Sequence, residues 1–177
     1  RLTSATPPPR VVQPHARISL DLAAFYNLYD GLRTIEPRTS FLEAAPAPAH
    51  LVVPFRAGNK MRGETYGAEL TASWQALEWW RFHGSYSHIQ VRLHPSRGSK
   101  DATAEGPERD SPQNQFVLRS SMNLPKKVEL DVILRYVDTL PNRNIQSYLT
   151  SDVRVGWRPT DRLELSVTGQ NLFDDKQ

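Results

Sequence analysis

Four groups of residues in this chain carry side chains of the types that do chemistry. Asp101-Ala102-Thr103-Ala104-Glu105-Gly106 begins like a calcium loop, with oxygen donors at its first, third and fifth positions and a glycine at its sixth. The twelfth position is Pro112 instead of a bidentate Glu, and no helical pattern flanks the run, so a flexible polar loop is expected there. His83, His88 and His94 recur along one stretch and are of the type that binds metal or haem. In a strand His83 and His88 fall on opposite faces unless a bulge realigns them, which makes them poor joint ligands. Arg92, Arg97 and Lys100 form a basic group able to attract an anionic chelate, although a solvated loop would carry the same residues. Glu69, Glu129, Asp131 and Glu164 could line a polar lumen. There is no phosphate loop, nucleophile elbow or metalloprotease helix motif. The expectation is a non-enzyme with no catalytic residues, no cofactor and no metal site, and with its ligand-contacting residues unassigned.

The elements that would position these groups are strands. In Arg17–Tyr29 the even positions are Ile18, Leu20, Leu22, Ala24, Tyr26 and Leu28, while the odd ones include Arg17, Ser19, Asp21 and Asn27. Period-two alternation of this length is a half-exposed strand, not a helix. Thr65–Trp74 repeats it with Tyr66, Ala68, Leu70, Ala72 and Trp74 on one face. Trp80, Phe82, Gly84 and Tyr86 follow, and then the apolar register moves to Ile89, Val91 and Leu93, which predicts a bulge near His88. Phe116–Leu124, Val128–Tyr136, Leu149–Trp157 and Leu163–Val167 complete about seven strands.

The joints between strands alternate in length. Short ones are expected at Gln75-Ala76-Leu77-Glu78, Leu124-Pro125-Lys126-Lys127 and Arg158-Pro159-Thr160-Asp161. Long polar ones are expected at Asp30–Lys60, His94–Gln113 and Asp138–Gln146. His50–Phe55 either extends the second strand or forms a small hairpin inside the first long loop. Successive antiparallel strands then place every short turn at one end of the sheet and every long loop at the other.

Composition narrows the class. The chain has 177 residues, with 22 basic and 19 acidic residues giving a net charge of +3, too balanced to argue for nucleic acid. Without cysteine, disulfide frameworks and thiolate metal sites are excluded. No apolar run is long enough for a membrane helix, a test that a membrane barrel escapes because half its strand residues are polar. The sequence begins without Met or a signal peptide and reads as a cut into a longer protein.

Charges and aromatics sharpen the pattern. Arg17, Asp21, Glu69, Glu129, Asp131, Arg135, Asp152, Arg154, Arg162 and Glu164 all fall in the polar register. A cation facing mid-bilayer lipid costs about 2–4 kcal/mol, so a lipid-facing register should be this clean, as should the inward face of a soluble sandwich. Trp74, Trp80 and Trp157 flank the short turns, whereas Tyr26, Tyr66, Tyr86 and Tyr136 sit toward the long loops. From Tyr66 to Trp74 a tilted strand rises roughly 20 Å, close to the apolar band between the aromatic girdles of a membrane barrel. A sandwich core has no reason to push its Trp and Tyr to the strand ends. Arg119, Arg135 and Arg154 are placed to form ladders with acidic residues on neighbouring strands.

The stretch from about Pro14 onward resembles the C-terminal part of the barrel of a TonB-dependent outer-membrane receptor. The resemblance rests on four segments: Leu20–Asn27, Asn59–Leu70, Tyr148–Trp157 and the terminal Gly169-Gln170-Asn171-Leu172-Phe173-Asp174-Asp175. It implies an all-β fold: an antiparallel up-and-down meander forming an open segment of a transmembrane barrel of about 22 strands with a plugged lumen. Residues 1–15 then form a polar, Pro-rich lead-in and the end of a preceding strand. Residues 16–177 form barrel wall, without the plug and the final strand.

The resemblance further implies an active transporter in the Gram-negative outer membrane, with a ferric siderophore or similar iron chelate as cargo; cobalamin, haem or a glycan would also suit the family. The implied partners are outer-membrane lipid, the plug of the same parent chain, the TonB complex through an N-terminal segment, and a small-molecule chelate. Nucleic acid is not among them. A secreted soluble β-sheet binding module and a passive porin-like barrel stand as alternatives. With two unpaired edges, the isolated segment is expected to aggregate or to fold incompletely in water.

Overall fold

The computed structural model describes residues 3–5, 10–15 and 17–173, with side chains from Arg17 to Phe173. The described chain is nearly all antiparallel strand. Seven long strands form the main sheet in sequence order: β3 (Ile18–Pro37), β6 (Phe55–Leu77), β7 (Trp80–Pro95), β8 (Asn114–Leu124), β9 (Val128–Val137), β10 (Tyr148–Thr160) and β11 (Leu163–Leu172). Two short strands, β1 (Thr3–Ala5) and β2 (Arg10–His15), both pair with the other edge of β3. A separate small hairpin, β4 (Phe41–Glu43) with β5 (His50–Val52), sits between β3 and β6. The two ends of the main sheet do not pair with each other, so it is an open meander as expected. The described helices are single 3-10 turns at Gly106–Arg109, Pro125–Lys127 and Pro141–Arg143.

Cross-strand partners share a face, so the ladders assign each residue to one side. Leu22 pairs with Leu70, Leu70 with Tyr86, Tyr86 with Phe116 and Phe116 with Tyr136. The other side carries Asp21 opposite Thr71, His83 opposite Arg119, and Asp131 opposite Arg154. All seven aromatics singled out in the sequence lie on the apolar side. Tyr26 stacks on Tyr66 at 6.4 Å, and Trp74, Phe82, Trp80 and Trp79 form a chain of rings at 5.6, 4.7 and 5.8 Å beside a short turn. Among the described residues nothing covers this side: Leu22 is 54% exposed and Val167 77%. A face of large apolar side chains this extensive in one sheet requires an apolar environment outside the chain.

Several features differ from the sequence expectation, among them the last short joint, which lies at Asp161-Arg162 because β10 runs to Thr160. The first short joint lies at Glu78-Trp79, because β6 runs to Leu77. Much of Asp30–Lys60 is strand, not loop, and the hairpin reading of His50–Phe55 holds through β5. The bulge expected near His88 is absent: the β6–β7 ladder is unbroken from Met61 opposite Pro95 to Gln75 opposite Arg81.

Candidate functional site

Beyond the row of tyrosines, three strands outrun their neighbours. β3 continues from Tyr26 to Pro37, β6 begins at Phe55, and β7 runs to Pro95, whereas β8 starts only at Asn114, opposite His88. The result is a three-stranded projection on the side of the long loops. It is entered through an irregularity at Asp30-Gly31, where the pairing moves from Tyr29 opposite Gly63 to Leu32 opposite Met61. Gly31 has φ +70, the left-handed value that glycine adopts without penalty. The extra residue swaps parity, so that Leu32, Thr34 and Glu36 of β3 lie on the side that odd residues occupy below it.

Ile89, Val91 and Leu93 are on that same polar side, opposite Gly67, Thr65 and Gly63. The register shift seen in the sequence is therefore a change in which face is apolar, with no slip of the strand. Past the tyrosines the apolar residues of β7 lie on the inner face. The inner face is covered by the chain's own loop, residues 96–113. Met61, Leu93 and Ala104 form a buried cluster there, with Leu32 and Val91 packed against it.

Polar contacts fasten this loop to the projection. Glu36, buried in the contact, accepts hydrogen bonds from the Ser99 hydroxyl at 2.9 Å and the Lys100 backbone N–H at 2.7 Å, with Lys60 Nζ 3.9 Å away. The Lys100 N–H, followed by the Thr34 and Ser99 hydroxyls and the Lys60 charge, holds the Glu36 carboxyl below its ordinary 4.5 against the opposing effect of burial. Asp101 accepts the Ile35 N–H at 2.6 Å through one oxygen, and the Thr103 N–H and hydroxyl at 2.9 and 2.8 Å through the other. These bonds, the one from Ile35 foremost, keep its carboxyl below 3.8. Lys60 Nζ donates to the Gly98 carbonyl at 2.8 Å, and Glu108 accepts the Leu93 N–H. Asn142 of the third long loop donates to the Gly106 carbonyl and, at 3.3 Å, to Asp110. The loop expected to be flexible is thus a docked one, and the residue in the first calcium position, Asp101, is a latch between loop and strand.

The other sequence candidates are dispersed. His83 is on the polar side with its ring nitrogen 2.9 Å from the Ser73 hydroxyl, and His88 is on the opposite side 2.9 Å from Asn114 Oδ1. His94 lies further along, opposite Arg62. Among the described residues no three His, Cys, Asp or Glu side chains converge as a metal site. Arg92 is 3.8 Å from Glu64 and 5.4 Å above the Tyr66 ring, so it belongs to the outer aromatic row. Lys100 instead lines a cleft of about 420 Å³ with Glu36, Arg38, Arg56, Lys60 and Gly98. Arg38, Arg56 and Lys60 escaped the sequence reading because they were counted as parts of one long loop. Glu36 opposite Arg56 in the β3–β6 ladder is the pairing that brings them together.

Glu129, Asp131 and Glu164 join the expected ladder. Arg154 lies 3.3 Å from Glu129, 3.6 Å from Asp131 and 3.0 Å from Glu164, Arg158 bridges Glu129 and Glu164, and Arg119 meets Asp131 at 3.0 Å. Arg135 pairs with Asp152 at 2.7 Å. Gly156 gives the Arg154 side chain room: a Cβ there would lie 3.2 Å from its guanidinium. These contacts tie four strands together on the polar side.

Residues 12–172 match the family model described as TonB dependent receptor-like, beta-barrel. No curated protein matches the chain at a significant level. Among solved structures, the pyoverdine outer membrane receptor FpvA from Pseudomonas aeruginosa PAO1, bound to pyoverdine, is similar in fold, with a TM-score of 0.59 and 19% identity over 89% of this chain. The chain spans 23% of that receptor.

Proposed function

The chain belongs to the TonB dependent receptor-like β-barrel family, and from that premise we propose that it is barrel wall of an active transporter that takes up a ferric siderophore or similar iron chelate. The location that goes with the family is the Gram-negative outer membrane. The observation that carries the reading is the division of one sheet into two surfaces. One is uncovered, apolar and bounded by aromatic rows; the other is polar and roofed at one end by interlocked loops. The apolar surface suits lipid, because each strand exposes no charge between its aromatic rows. The polar surface, with its ladder of fixed charges, suits a plug from the same parent chain. The roofed end suits the first capture of a dilute solute. Energy would come from the TonB complex acting on parts of the parent protein outside this chain.

The test is uptake of radioactive iron chelates by iron-starved cells that carry or lack the parent gene, with and without a protonophore. Gene-dependent uptake abolished by the protonophore is expected. Gene-dependent uptake that survives the protonophore would replace the reading with a passive, porin-like barrel. Gene product recovered in the aqueous phase after detergent partition would replace it with a soluble module.

A further inference from the structure

The cleft at the tip of the projection has an unusual charge balance. Arg38, Arg56, Lys60 and Lys100 converge on about 420 Å³, and Glu36 is the sole acid among its lining residues. That carboxylate is already committed to Ser99 and the Lys100 N–H at the cleft floor. Lys60 spends one donor on the Gly98 carbonyl. Among the described residues, Arg38, Arg56 and the Lys100 ammonium have no ion-pair partner, and all three are exposed. Like charges gathered around one cleft repel one another, and the backbone at two of them is held in place. Arg56 sits in the β6 ladder, and Lys100 is pinned through its own N–H. A fixed cluster of unmatched cations in a concave site is a standing attraction for a multiply charged anion.

We infer that this cleft binds a polyanionic small molecule, one carrying several carboxylate, phenolate or phosphate oxygens. The inference deepens the proposed function and rests on it for the role of the ligand, which would be an anionic chelate captured before transport. Position argues against the other source of such oxygens, the headgroup phosphates of the outer leaflet. Glu36 lies ten residues along β3 from Tyr26 in the outer aromatic row, about 30 Å of strand. Glu36 and Arg56, which line the cleft, also share the polar face, where the loop docks.

The experiment uses the complete receptor in detergent and compares it with a doubly substituted form, Arg56→Gln with Lys100→Gln, and with Arg143→Gln, an exposed loop arginine outside the cleft. Retention of the compact, heat-modifiable barrel on electrophoresis establishes folding of each form. Binding of ferric citrate (anionic), ferrichrome (neutral) and pyrophosphate (anionic and free of iron) is followed by titration calorimetry. Co-purifying lipopolysaccharide is assayed on the same samples. The inference expects anion binding to weaken at least about tenfold in the double variant, to remain unchanged in Arg143→Gln, and to fall with salt. Anion affinity equal in all three forms, or loss confined to lipopolysaccharide, would overturn it. Pyrophosphate binding lost in the double variant, with no ferric chelate bound by any form, would uphold the cleft while overturning the iron reading.

Discussion

The ring of Phe25 on β3 occupies the space that a side chain on its directly paired partner, Gly67 on β6, would need. A Cβ at Gly67 would lie 2.7 Å from Phe25 Cζ and 2.2 Å from the His88 carbonyl oxygen of β7. Three strands therefore meet at one residue that must lack a side chain. Gly67→Ala is expected to destabilise the parent receptor by about 1–3 kcal/mol, the cost of forcing atoms into a filled site. Adding Phe25→Ala should recover only part of the loss, since the His88 carbonyl is backbone and stays. Urea unfolding of the refolded receptor in lipid checks this, and full recovery in the double variant would show that the ring alone was the obstacle.

Adjacent residues on β6 should respond oppositely to the same change. Leu70 lies midway between Tyr66 and Trp74 on the apolar side, opposite Leu22 and Tyr86; Thr71 lies on the polar side, opposite Asp21 and Ser85. Leu70→Arg is expected to cost about 2–4 kcal/mol of folding into a bilayer. Thr71→Arg, placed beside the Asp21 carboxylate, should cost less than about 1 kcal/mol. Folding titrations into vesicles compare the two, and equal costs would contradict the assignment of faces.

Arg154 lies within ion-pair distance of three carboxylates at once, so its removal leaves Glu129, Asp131 and Glu164 in greater mutual repulsion. Arg158 still reaches two of them, and Arg119 the third. Arg154→Ala should therefore lower stability by about 1 kcal/mol, more in dilute buffer than at high salt. Arg154→Lys should keep most of the charge effect while losing the forked contacts. Thermal melts of the two variants at low and high ionic strength measure this.

Docking of the 96–113 loop should depend on pH. The Glu36 carboxyl is held below 4.5, so it binds a proton more readily in the undocked loop than in the docked one. Its contribution is accordingly complete above pH 4.5 and disappears as pH falls through the lowered value. Asp101, held below 3.8, adds its own loss as pH falls through its lowered value. Hydrogen exchange at Ser99–Asp101, corrected for its intrinsic pH dependence, should stay protected at neutral pH and open in acid. Glu36→Gln should weaken docking at neutral pH and leave only the Asp101 step.

Much of this arrangement could be read from residue order because the bilayer imposes a strict rule. The Trp and Tyr rows, the uncharged register between them and the order of seven strands all follow from it. The rule lapses past Tyr26, Tyr66 and Tyr86. There Ile89, Val91 and Leu93 turn inward to meet a loop, a switch that alternation alone presents as a bulge. The latch from Asp101 to Ile35 and the seat of Glu36 joined residues more than sixty positions apart across a parity change at Gly31. No local pattern carries such a pairing. The basic cleft was half visible, through Lys100, and the rest waited on knowing that the first long loop is mostly strand.

The β3–β6 hairpin is hydrogen-bonded from Ile18 opposite Trp74 to Pro37 opposite Phe55. Ordering a free loop costs about 1–2 kcal/mol per residue in lost backbone freedom, and here folding has already met that cost. A solute arriving at the tip encounters a surface with little left to freeze. On the proposed function, its binding energy would go into discrimination between similar solutes, and the arm would release it without first having to unlearn a shape acquired on binding.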